Sequence, residues 1–504
     1  MAKKIIMAAT LLLALGLRLV GTRQVENGVY VDEAAIGYNA KSLLETGSDE
    51  YGQAGPLALR SFGDYKSPLL SYISIPLVSV FGEVVGVRLN SVTLGTMTVG
   101  IIYILAGPMA GLGMAILPWH VNLSGHGIEA VTATFLMAVW LVAVKNKKWR
   151  TAFVAVFLSI WAYHATKYLS PMLLLVTWWQ MRHEGGHLSK GWTILMLVAA
   201  SLTLLVMVQP FNNARALGVG KQESVVSLTR NVSAAYTSYF SPGSLISGDW
   251  QKRNNVYGVE NMWWWQIILA YVGLIGLLKT GKWRKEIPLL SLWLLAPLPA
   301  AAAIDPFHAI RALIMTVPWM ILVGIGWKKI TDLPAGRQGL RLKILVIAVA
   351  CFQTFILWER LTVQNPVYSY QEWIGGYSQL VDQTMKLRIK GIDQVIVDTT
   401  DEPAIYSLWQ VLGKVDTNKK IPLWGNGYYQ VTKWKGPESL VLGNGMEVIF
   451  KPVYWPEDQK KTNTVYVGSK KRFDADALKR AGAEVLFEVK DFQGNVVWMG
   501  VKTK

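Results

Sequence analysis

Long apolar runs separated by short polar connections fill the first 359 residues of the chain. A helix that crosses a bilayer needs about 20 predominantly apolar residues, although roughly 17 to 25 are found. Some runs reach that length and others are shorter, and the pattern predicts a polytopic α-helical membrane protein. The runs are 5–21, 67–81, 88–106, 109–123, 127–144, 151–164, 167–181, 191–209, 263–278, 287–304, 310–327 and 342–358.

The distribution of Lys and Arg orients these runs, because basic residues collect on the cytoplasmic side of membrane proteins. The basic clusters are Lys3-Lys4 and those within 145–150, 182–190, 279–285 and 328–343. If all of them lie inside, the N-terminus is cytoplasmic and an even number of crossings separates the first two clusters. Five runs lie between those clusters, so one of the five does not cross.

The run 67–81 is the one that we expect not to cross, because it contains Pro68 and Pro76. We interpret it as an interfacial or re-entrant helix. About eleven spans remain. The outer face then carries the segment 22–87, several short turns and everything after residue 359.

The tail differs from the rest of the chain because it has no apolar run of spanning length. Residues 395–397 and 464–467 have the composition of strands, and 474–481 that of a short helix. A hairpin is predicted around Gln493-Gly494-Asn495. We therefore predict a transmembrane domain, 1–359, and a small extracytoplasmic α/β domain, 360–504.

Composition supports the membrane assignment and changes how the charge is interpreted. Hydrophobic residues make up 52% and charged residues 16%, against about 25% charged in soluble domains. This excludes a disordered chain, a coiled coil and a disulfide scaffold. A net charge of +17 would suggest nucleic acid for a soluble protein. Here most of the excess lies in the inner loops, so no nucleic-acid partner is expected.

An acidic pair, Asp32-Glu33, follows the first run, and residues 33–46 are predicted to form a helix closed by Gly47. In one interpretation Asp32 is the N-cap and Glu33 interacts favourably with the helix dipole. In the other, the pair lies at the membrane surface beneath a closed cavity and Asp32 acts as a general base.

Polar residues at the other predicted outer turns are candidates for substrate binding. Lys66, near Asp64, can neutralise a phosphate or simply anchor at the interface. His126 and Glu129 share a face if 127–144 is helical, and can hold a divalent metal or orient a base; a polar interfacial turn is the alternative. Arg311 can bind a phosphate or anchor its span. The remaining candidates for substrate binding are Asp64, Tyr163, His164, Lys167 and His308.

The order of these motifs resembles the GT-C glycosyltransferases. The motifs are V-D-E after the first run, G-D-Y-K-S-P, P-W-H-V-N-L-S before Glu129, Y-H-A-T-K-Y-L-S-P, Y-F-S-P with G-D, and D-P-F-H-A-I-R. Within that class they are similar to family 39, which includes protein O-mannosyltransferase-like, aminoarabinose-transferase-like and RgtA/B/C/D-like proteins. The resemblance covers about residues 5–378.

The resemblance implies a membrane glycosyltransferase with a polyprenyl-phosphate-linked sugar as donor and a glycan, lipid or protein as acceptor. Asp32 would be the catalytic carboxylate with Glu33 beside it, and Lys66 and Arg311 would hold the lipid phosphate. The chain has Gly125-His126 where related chains often have Ser-Arg, and Lys167 where Arg is common.

Two other functional classes compete with this interpretation: a transporter or flippase of a lipid-linked glycan, and a cell-envelope scaffold. A transporter is expected to place polar residues at mid-span, whereas here they collect at the outer ends. The sequence has no Walker loop, dinucleotide fingerprint, HExxH or CxxC pair. No cofactor is predicted beyond a possible divalent metal.

Overall fold

The computed structural model describes residues 1–22, 28–62, 64–187, 189–194, 198, 201, 224–304, 307–332, 336–421 and 437–504. Most of the predicted span 191–209 lies outside these residues, as does Asp305. The chain forms two compact units. The first comprises 1–22, 67–70 and 88–364, and the second comprises 23–66, 71–87 and 365–504.

Helices dominate the described part of the chain. They are α1 (Ala2–Thr22), α2 (Val31–Thr46), α3 (Leu69–Phe81), α4 (Glu83–Ala106), α5 (Pro108–Ala115), α6 (Pro118–Ser124), α7 (Glu129–Lys145), α8 (Trp149–Ile160), α9 (His164–His183), α10 (Val225–Ser238), α11 (Pro242–Ser247), α12 (Trp264–Lys279), α13 (Ile287–Leu295), α14 (Leu298–Ala301), α15 (Thr316–Thr331), α16 (Gly336–Glu359), α17 (Asn365–Tyr368), α18 (Tyr377–Lys386), α19 (Tyr406–Leu412), α20 (Trp455–Asp458) and α21 (Ala475–Ala481).

Within the described residues, three helices are long and apolar enough to cross a membrane: Glu83–Ala106, Leu313–Thr331 and Leu340–Tyr368. A fourth span results if α6 and α7, which meet at a bend of 120°, count as one broken crossing. Other apolar helices are shorter. The number of eleven spans therefore stays a prediction. Helix α3, expected not to cross, has 13 residues and is about 20 Å long, against a hydrocarbon core of roughly 30 Å.

The predicted run 109–123 is interrupted, since α5 ends at Ala115 and α6 starts at Pro118. Proline lacks an amide hydrogen and disfavours helical geometry in the residue before it. The break frees carbonyl groups at the end of α5, and Arg18, buried in α1, donates to two of them, those of Met114 at 3.2 Å and Ala115 at 3.3 Å. Arg18 thus provides hydrogen bonds to backbone carbonyl groups that lipid tails cannot provide.

Helices α12 and α15 approach closely through two glycines. A Cβ at Gly326 would lie 1.8 Å from the Leu269 carbonyl oxygen, and one at Gly273 would lie 2.2 Å from that of Leu322. No other residue fits at such a contact. Small residues at the interface are how membrane helices pack when hydrophobic burial cannot drive association.

The second unit contains a short hairpin and a separate six-stranded sheet. The hairpin is formed by β1 (Leu59–Ser61) and β2 (Asp64–Lys66). The strands of the sheet are β3 (Gln394–Asp398), β4 (Ser439–Val441), β5 (Glu447–Lys451), β6 (Val465–Ser469), β7 (Glu484–Lys490) and β8 (Val496–Lys502). They lie in the order β4-β5-β3-β6-β8-β7. The central strand, β3, pairs in parallel with β5 and β6, and the other pairs are antiparallel.

The α/β tail predicted from the sequence is confirmed, including the strands at 395–397 and 464–467. The β7–β8 hairpin turns where it was predicted, between Asp491 and Asn495. Asp474 caps α21 by accepting the Ala477 amide at 3.0 Å. The unit extends beyond the predicted boundary at residue 359, because α2 and α3 belong to it as well.

Candidate functional site

Asp32 lies in the first turn of α2, in the second unit. Tyr30 is the N-cap of this helix, and Gly47 ends it in the left-handed conformation, with φ 67°, where its amide donates to the Leu43 carbonyl. The helix and its closing glycine are therefore as predicted. The interpretation of Asp32 as the N-cap is wrong, because the helix begins at Val31, two residues before the predicted start at residue 33.

Lys66 is brought to Asp32 by the β1–β2 hairpin. Its strand pairs with β1 in the register Leu59 to Lys66, and the Lys66 ammonium donates to Asp32 Oδ1. The lysine side chain is only 7% exposed, whereas that of Asp32 is 45% exposed. This ion pair therefore has a buried cation and a carboxylate that reaches solvent. Asp64 lies on β2 facing Ser61, and its side chain is outside the described residues.

Glu33 has different surroundings from its neighbour. The residue is buried, and its Oε2 accepts the amide of Tyr30 at 3.3 Å. Such a bond satisfies one of the amides that a helix start leaves without an intrahelical acceptor. Glu33 thus contributes to the start of α2, and a catalytic role for it stays a prediction.

His126 and Glu129 belong to the first unit and lie on either side of a helix start. Glu129 is the first residue of α7, with Ile128 as N-cap, so His126 precedes the helix and the expected common helical face is not formed. His126 Nδ1 lies 2.8 Å from the Asn122 carbonyl oxygen. Since a carbonyl can only accept, Nδ1 carries the proton and Nε2 is the basic nitrogen.

Tyr163, His164 and Lys167 lie together at the start of α9 in the first unit. Tyr163 is the N-cap and His164 the first helical residue. The Lys167 ammonium lies 3.4 Å from His164 Nδ1, and Lys167 is buried at 5% exposure. The spacing of three residues places both side chains on one face. Lys167, the basic residue that the sequence places at this turn, therefore lies inside the protein and not in water.

His308 lies in a buried polar cluster of the first unit. Its Nδ1 is 3.6 Å from Asp249 Oδ2. Burial, followed by the positive charges of Arg311 and Arg253, lowers the pKa of His308 to about 3. His308 is consequently neutral at physiological pH, and its contact with Asp249 is not an ion pair. Two arginines instead supply the positive charge of this region.

Asp249 organises that cluster and was given no role from the sequence. Its side chain is fully buried. Oδ2 accepts from Asn254 Nδ2 and from the Ala309 amide, each at 2.7 Å, and Oδ1 accepts the Gln251 amide at 2.9 Å. Arg253 was likewise given no role, because nothing in the sequence indicates that the 249–254 loop and the segment around His308 meet.

Glu50 is a further buried carboxyl that the sequence did not single out. It lies in the second unit and accepts from Ser61 Oγ at 2.8 Å and Gln410 Nε2 at 3.0 Å. Burial raises its pKa to about 7, although these hydrogen bonds act in the opposite direction. Glu50 therefore titrates near neutrality while it connects the hairpin to α19.

No group of three or more His, Cys, Asp or Glu side chains able to hold a metal ion occurs in the described part of the chain. The possible divalent ion near His126 and Glu129 stays a prediction. The Asp32–Lys66 pair belongs to the second unit, and His126, Glu129, Tyr163, His164, Lys167, His308 and Arg311 belong to the first.

The fold is similar to that of solved membrane proteins. The structure of ArnT from Cupriavidus metallidurans in the apo state matches with a TM-score of 0.54 and 13% identity, covering 99% of this chain and 98% of that one. The same ArnT bound to undecaprenyl phosphate matches with a TM-score of 0.50 and 12% identity, covering 98% and 97%. The apo oligosaccharyltransferase of Archaeoglobus fulgidus gives a TM-score of 0.48 at 12% identity, covering 81% and 63%.

No family model and no curated protein matches this chain in sequence. The likeness to ArnT extends over nearly the whole length of both chains. It confirms the fold expected from the GT-C resemblance, a polytopic helical membrane protein with a C-terminal α/β domain.

Proposed function

We propose that this protein is a membrane glycosyltransferase that moves a sugar from a polyprenyl-phosphate donor to an acceptor on the extracytoplasmic face, with Asp32 as general base. The observation that carries the proposal is the exposed Asp32 carboxylate beside the buried Lys66 ammonium. It occurs in a chain with the fold of ArnT, one structure of which has undecaprenyl phosphate bound.

The proposed reaction is a displacement at the anomeric carbon. The acceptor loses its proton to Asp32 and forms a bond to that carbon, while the bond from the carbon to the phosphate oxygen breaks. The bonding electrons leave with the polyprenyl phosphate. The GT-C resemblance implies inversion at the sugar. Because the leaving group is anionic, fixed positive charges stabilise the transition state without a nucleotide.

The different exposure of Asp32 and Lys66 suits these two tasks. A base must meet an acceptor that arrives from water, and the Asp32 side chain is 45% exposed. A phosphate contact is stronger away from water, and Lys66 is 7% exposed. The Lys66 ammonium is a compact positive charge, and we propose that it stabilises the negative charge that develops on the phosphate.

The charge of the first unit supports a role in holding an anion there. Arg311 and Arg253 both act on His308, which stays neutral. We propose that Arg311 contacts the lipid phosphate and that His126, Glu129, Tyr163, His164, Lys167 and His308 contribute to substrate binding. The positive-inside distribution supports a cytoplasmic N-terminus and an extracytoplasmic tail.

The test uses the full chain, purified into lipid nanodiscs and supplied with a lipid extract of its native host. Three forms are compared: wild type, Asp32→Asn, and Asp382→Asn, which changes an exposed surface aspartate. We expect Asp32→Asn to lower the release of polyprenyl phosphate by about 100-fold or more. Its affinity for added undecaprenyl phosphate should stay within about threefold of wild type, as expected when only the chemical step is lost.

Two results would contradict the proposal. Wild-type turnover by Asp32→Asn would remove Asp32 from the chemistry. Movement of the lipid-linked sugar across the bilayer with its sugar–phosphate bond intact would favour a flippase instead.

A further inference from the structure

Helix α19, in the tail, contacts both segments that carry the Asp32–Lys66 pair. Ser407 Oγ lies 3.1 Å from two carbonyl oxygens, those of Val31 and Ala404, which share its single proton. Val31 directly precedes Asp32. The hydroxyl of Tyr406 accepts the amide of Phe62 at 3.0 Å, and Phe62 lies on the hairpin that carries Lys66. Two adjacent residues of one helix therefore hold the backbone on both sides of the ion pair.

Phe62 transmits the effect of Tyr406 to Lys66. Its φ is 59°, in the left-handed region that bulky side chains rarely adopt, and the surrounding structure must hold it there. Besides the hydrogen bond, the Tyr406 ring packs edge-on against the Phe62 ring, with centroids 5.8 Å apart. The Lys66 ammonium lies 4.6 Å from the centroid of the same Phe62 ring, within range of a cation–π interaction.

A buried network attaches α19 to the same two segments a second time. Gln410 donates to Glu50 at 3.0 Å, and Ser61, the neighbour of Phe62, donates to Glu50 at 2.8 Å. The amide of Glu50 in turn donates to Asn39 on α2 at 3.0 Å. These bonds connect α19 with both the hairpin and α2 through buried groups.

We propose that α19 is a positioning element for the Asp32–Lys66 pair, with Tyr406 and Ser407 as its positioning residues. Tyr406 fixes Lys66 through Phe62, and Ser407 fixes Asp32 through the carbonyl of Val31. This gives the α/β tail a task in the reaction, namely to keep a base and a phosphate-binding cation at a set separation. The consequence for lipid binding rests on the proposed function.

The test compares the full chain in nanodiscs as wild type, Tyr406→Phe, Ser407→Ala and Tyr466→Phe. The last is a matched control, because it removes another buried tyrosine hydroxyl of the same unit, one that donates to the Asp458 carbonyl. The probe is undecaprenyl phosphate. Tyr406→Phe removes the acceptor of the Phe62 amide and a hydrogen bond to Tyr51. This should weaken binding by about three- to tenfold, and the control should stay within about twofold of wild type.

Two further readouts separate positioning from a general loss of stability. In a Lys66→Met background, Tyr406→Phe should have no additional effect on binding, because its effect acts through Lys66. Ser407→Thr, which keeps the hydroxyl, should recover the affinity that Ser407→Ala loses. Hydrogen exchange of the Phe62 amide should accelerate in Tyr406→Phe and remain slow in Tyr466→Phe.

The proposal is overturned if Tyr406→Phe changes neither binding nor exchange, if both tyrosine variants weaken binding equally, or if the loss persists in the Lys66→Met background. A wild-type protein that does not bind undecaprenyl phosphate would count against the proposed function instead. In that case hydrogen exchange of the Phe62 amide tests by itself whether Tyr406 holds this segment, because the measurement requires no ligand.

Discussion

Asp32 and Asp249 each lie beside a basic side chain, and their surroundings give them opposite roles. Asp249 is fully buried, accepts three hydrogen bonds and faces a neutral histidine. Asp32 is 45% exposed and pairs with a lysine ammonium. We propose that the buried carboxylate, which is surrounded by donors, stabilises the fold, and that the exposed one beside a fixed cation takes part in the chemistry. The sequence nominates Asp32 and assigns no role to Asp249, but it does not show this difference in burial.

The largest expected effect is on folding, in Asp249→Ala. The change removes the acceptor of the buried Ala309 amide, of the partly buried Gln251 amide and of Asn254 Nδ2, which keeps a contact with Gln251 Oε1 at 3.3 Å. Loss of the two bonds that have no replacement costs roughly 1.5–3 kcal/mol each. We expect the first unit to lose about 3–5 kcal/mol, measured as a lower melting temperature in detergent. Asp382→Ala is the control, since its partner Lys386 lies in an exposed pair, and such pairs contribute little. Equal melting temperatures for the two variants would show that Asp249 does not organise its cluster.

The second effect is a pH dependence of opposite sign in the two units. Burial raises the pKa of Glu50 from 4.5 to about 7, so its contribution to stability is full below pH 4.5 and is lost as the pH rises through 7. Burial lowers the pKa of His308 from 6.5 to about 3, so its contribution is present above pH 6.5 and is lost as the pH falls through 3. Each is of order 3–5 kcal/mol.

The measurement is hydrogen exchange of peptides from each unit between pH 4.5 and 7, corrected for intrinsic rates. Glu50→Gln should remove the pH dependence of hydrogen exchange from the second unit and leave the pH dependence of the first unit unchanged. If the stability of both units changes in the same direction with pH, either Glu50 or His308 has been assigned the wrong charge.

The third effect concerns Lys66 as a phosphate contact. We expect Lys66→Met to weaken the binding of undecaprenyl phosphate by about 10- to 30-fold, because it removes a buried positive charge. Lys41→Met is a matched control in the same unit, since Lys41 also pairs with a carboxylate, Glu83, at 2.8 Å. Isothermal titration of both variants checks the difference, and equal affinities would mean that Lys66 only pairs with Asp32.

The smallest effect is expected for Glu33→Gln. Glutamine keeps the acceptor for the Tyr30 amide and loses only the favourable charge at the helix start, which is worth about 0.3–1 kcal/mol. The melting temperature should fall slightly and turnover should change by less than about threefold. A loss as large as that of Asp32→Asn would transfer the role of base to Glu33.

Part of this architecture follows from the sequence in a direct way. Apolar runs and alternating residues are local signals, so the helices, the tail strands and the helix closed by Gly47 are predictable. Asp32 and Lys66 could be nominated because they lie beside apolar runs on the predicted outer face and belong to the motifs that resemble the GT-C glycosyltransferases. Their pairing depends on the β1–β2 hairpin, which is too short to leave a hydrophobic pattern.

The sequence does not indicate the buried carboxyl groups of Glu50 and Asp249, for a related reason. Glu50 lies in the polar stretch Gly47-Ser48-Asp49-Glu50-Tyr51, which has the composition of a solvated turn. In the folded protein it is buried and accepts a hydrogen bond from Gln410, 360 positions later. Asp249 is likewise partnered by Ala309, and contacts at such separations leave no local pattern. Pro118 indicates a break in this run from the sequence alone. The sequence does not indicate that Arg18 donates to the carbonyl groups that the break leaves without partners.

The most direct test of the central claim is mass spectrometry of lipid-linked sugars and envelope glycans in the native host. Cells lacking the chain are compared with cells that carry the wild type or Asp32→Asn. The account predicts that one polyprenyl-phosphate sugar accumulates, and one glycan loses that sugar, both without the chain and with Asp32→Asn. Identical profiles in all three strains, or full restoration by Asp32→Asn, would contradict it.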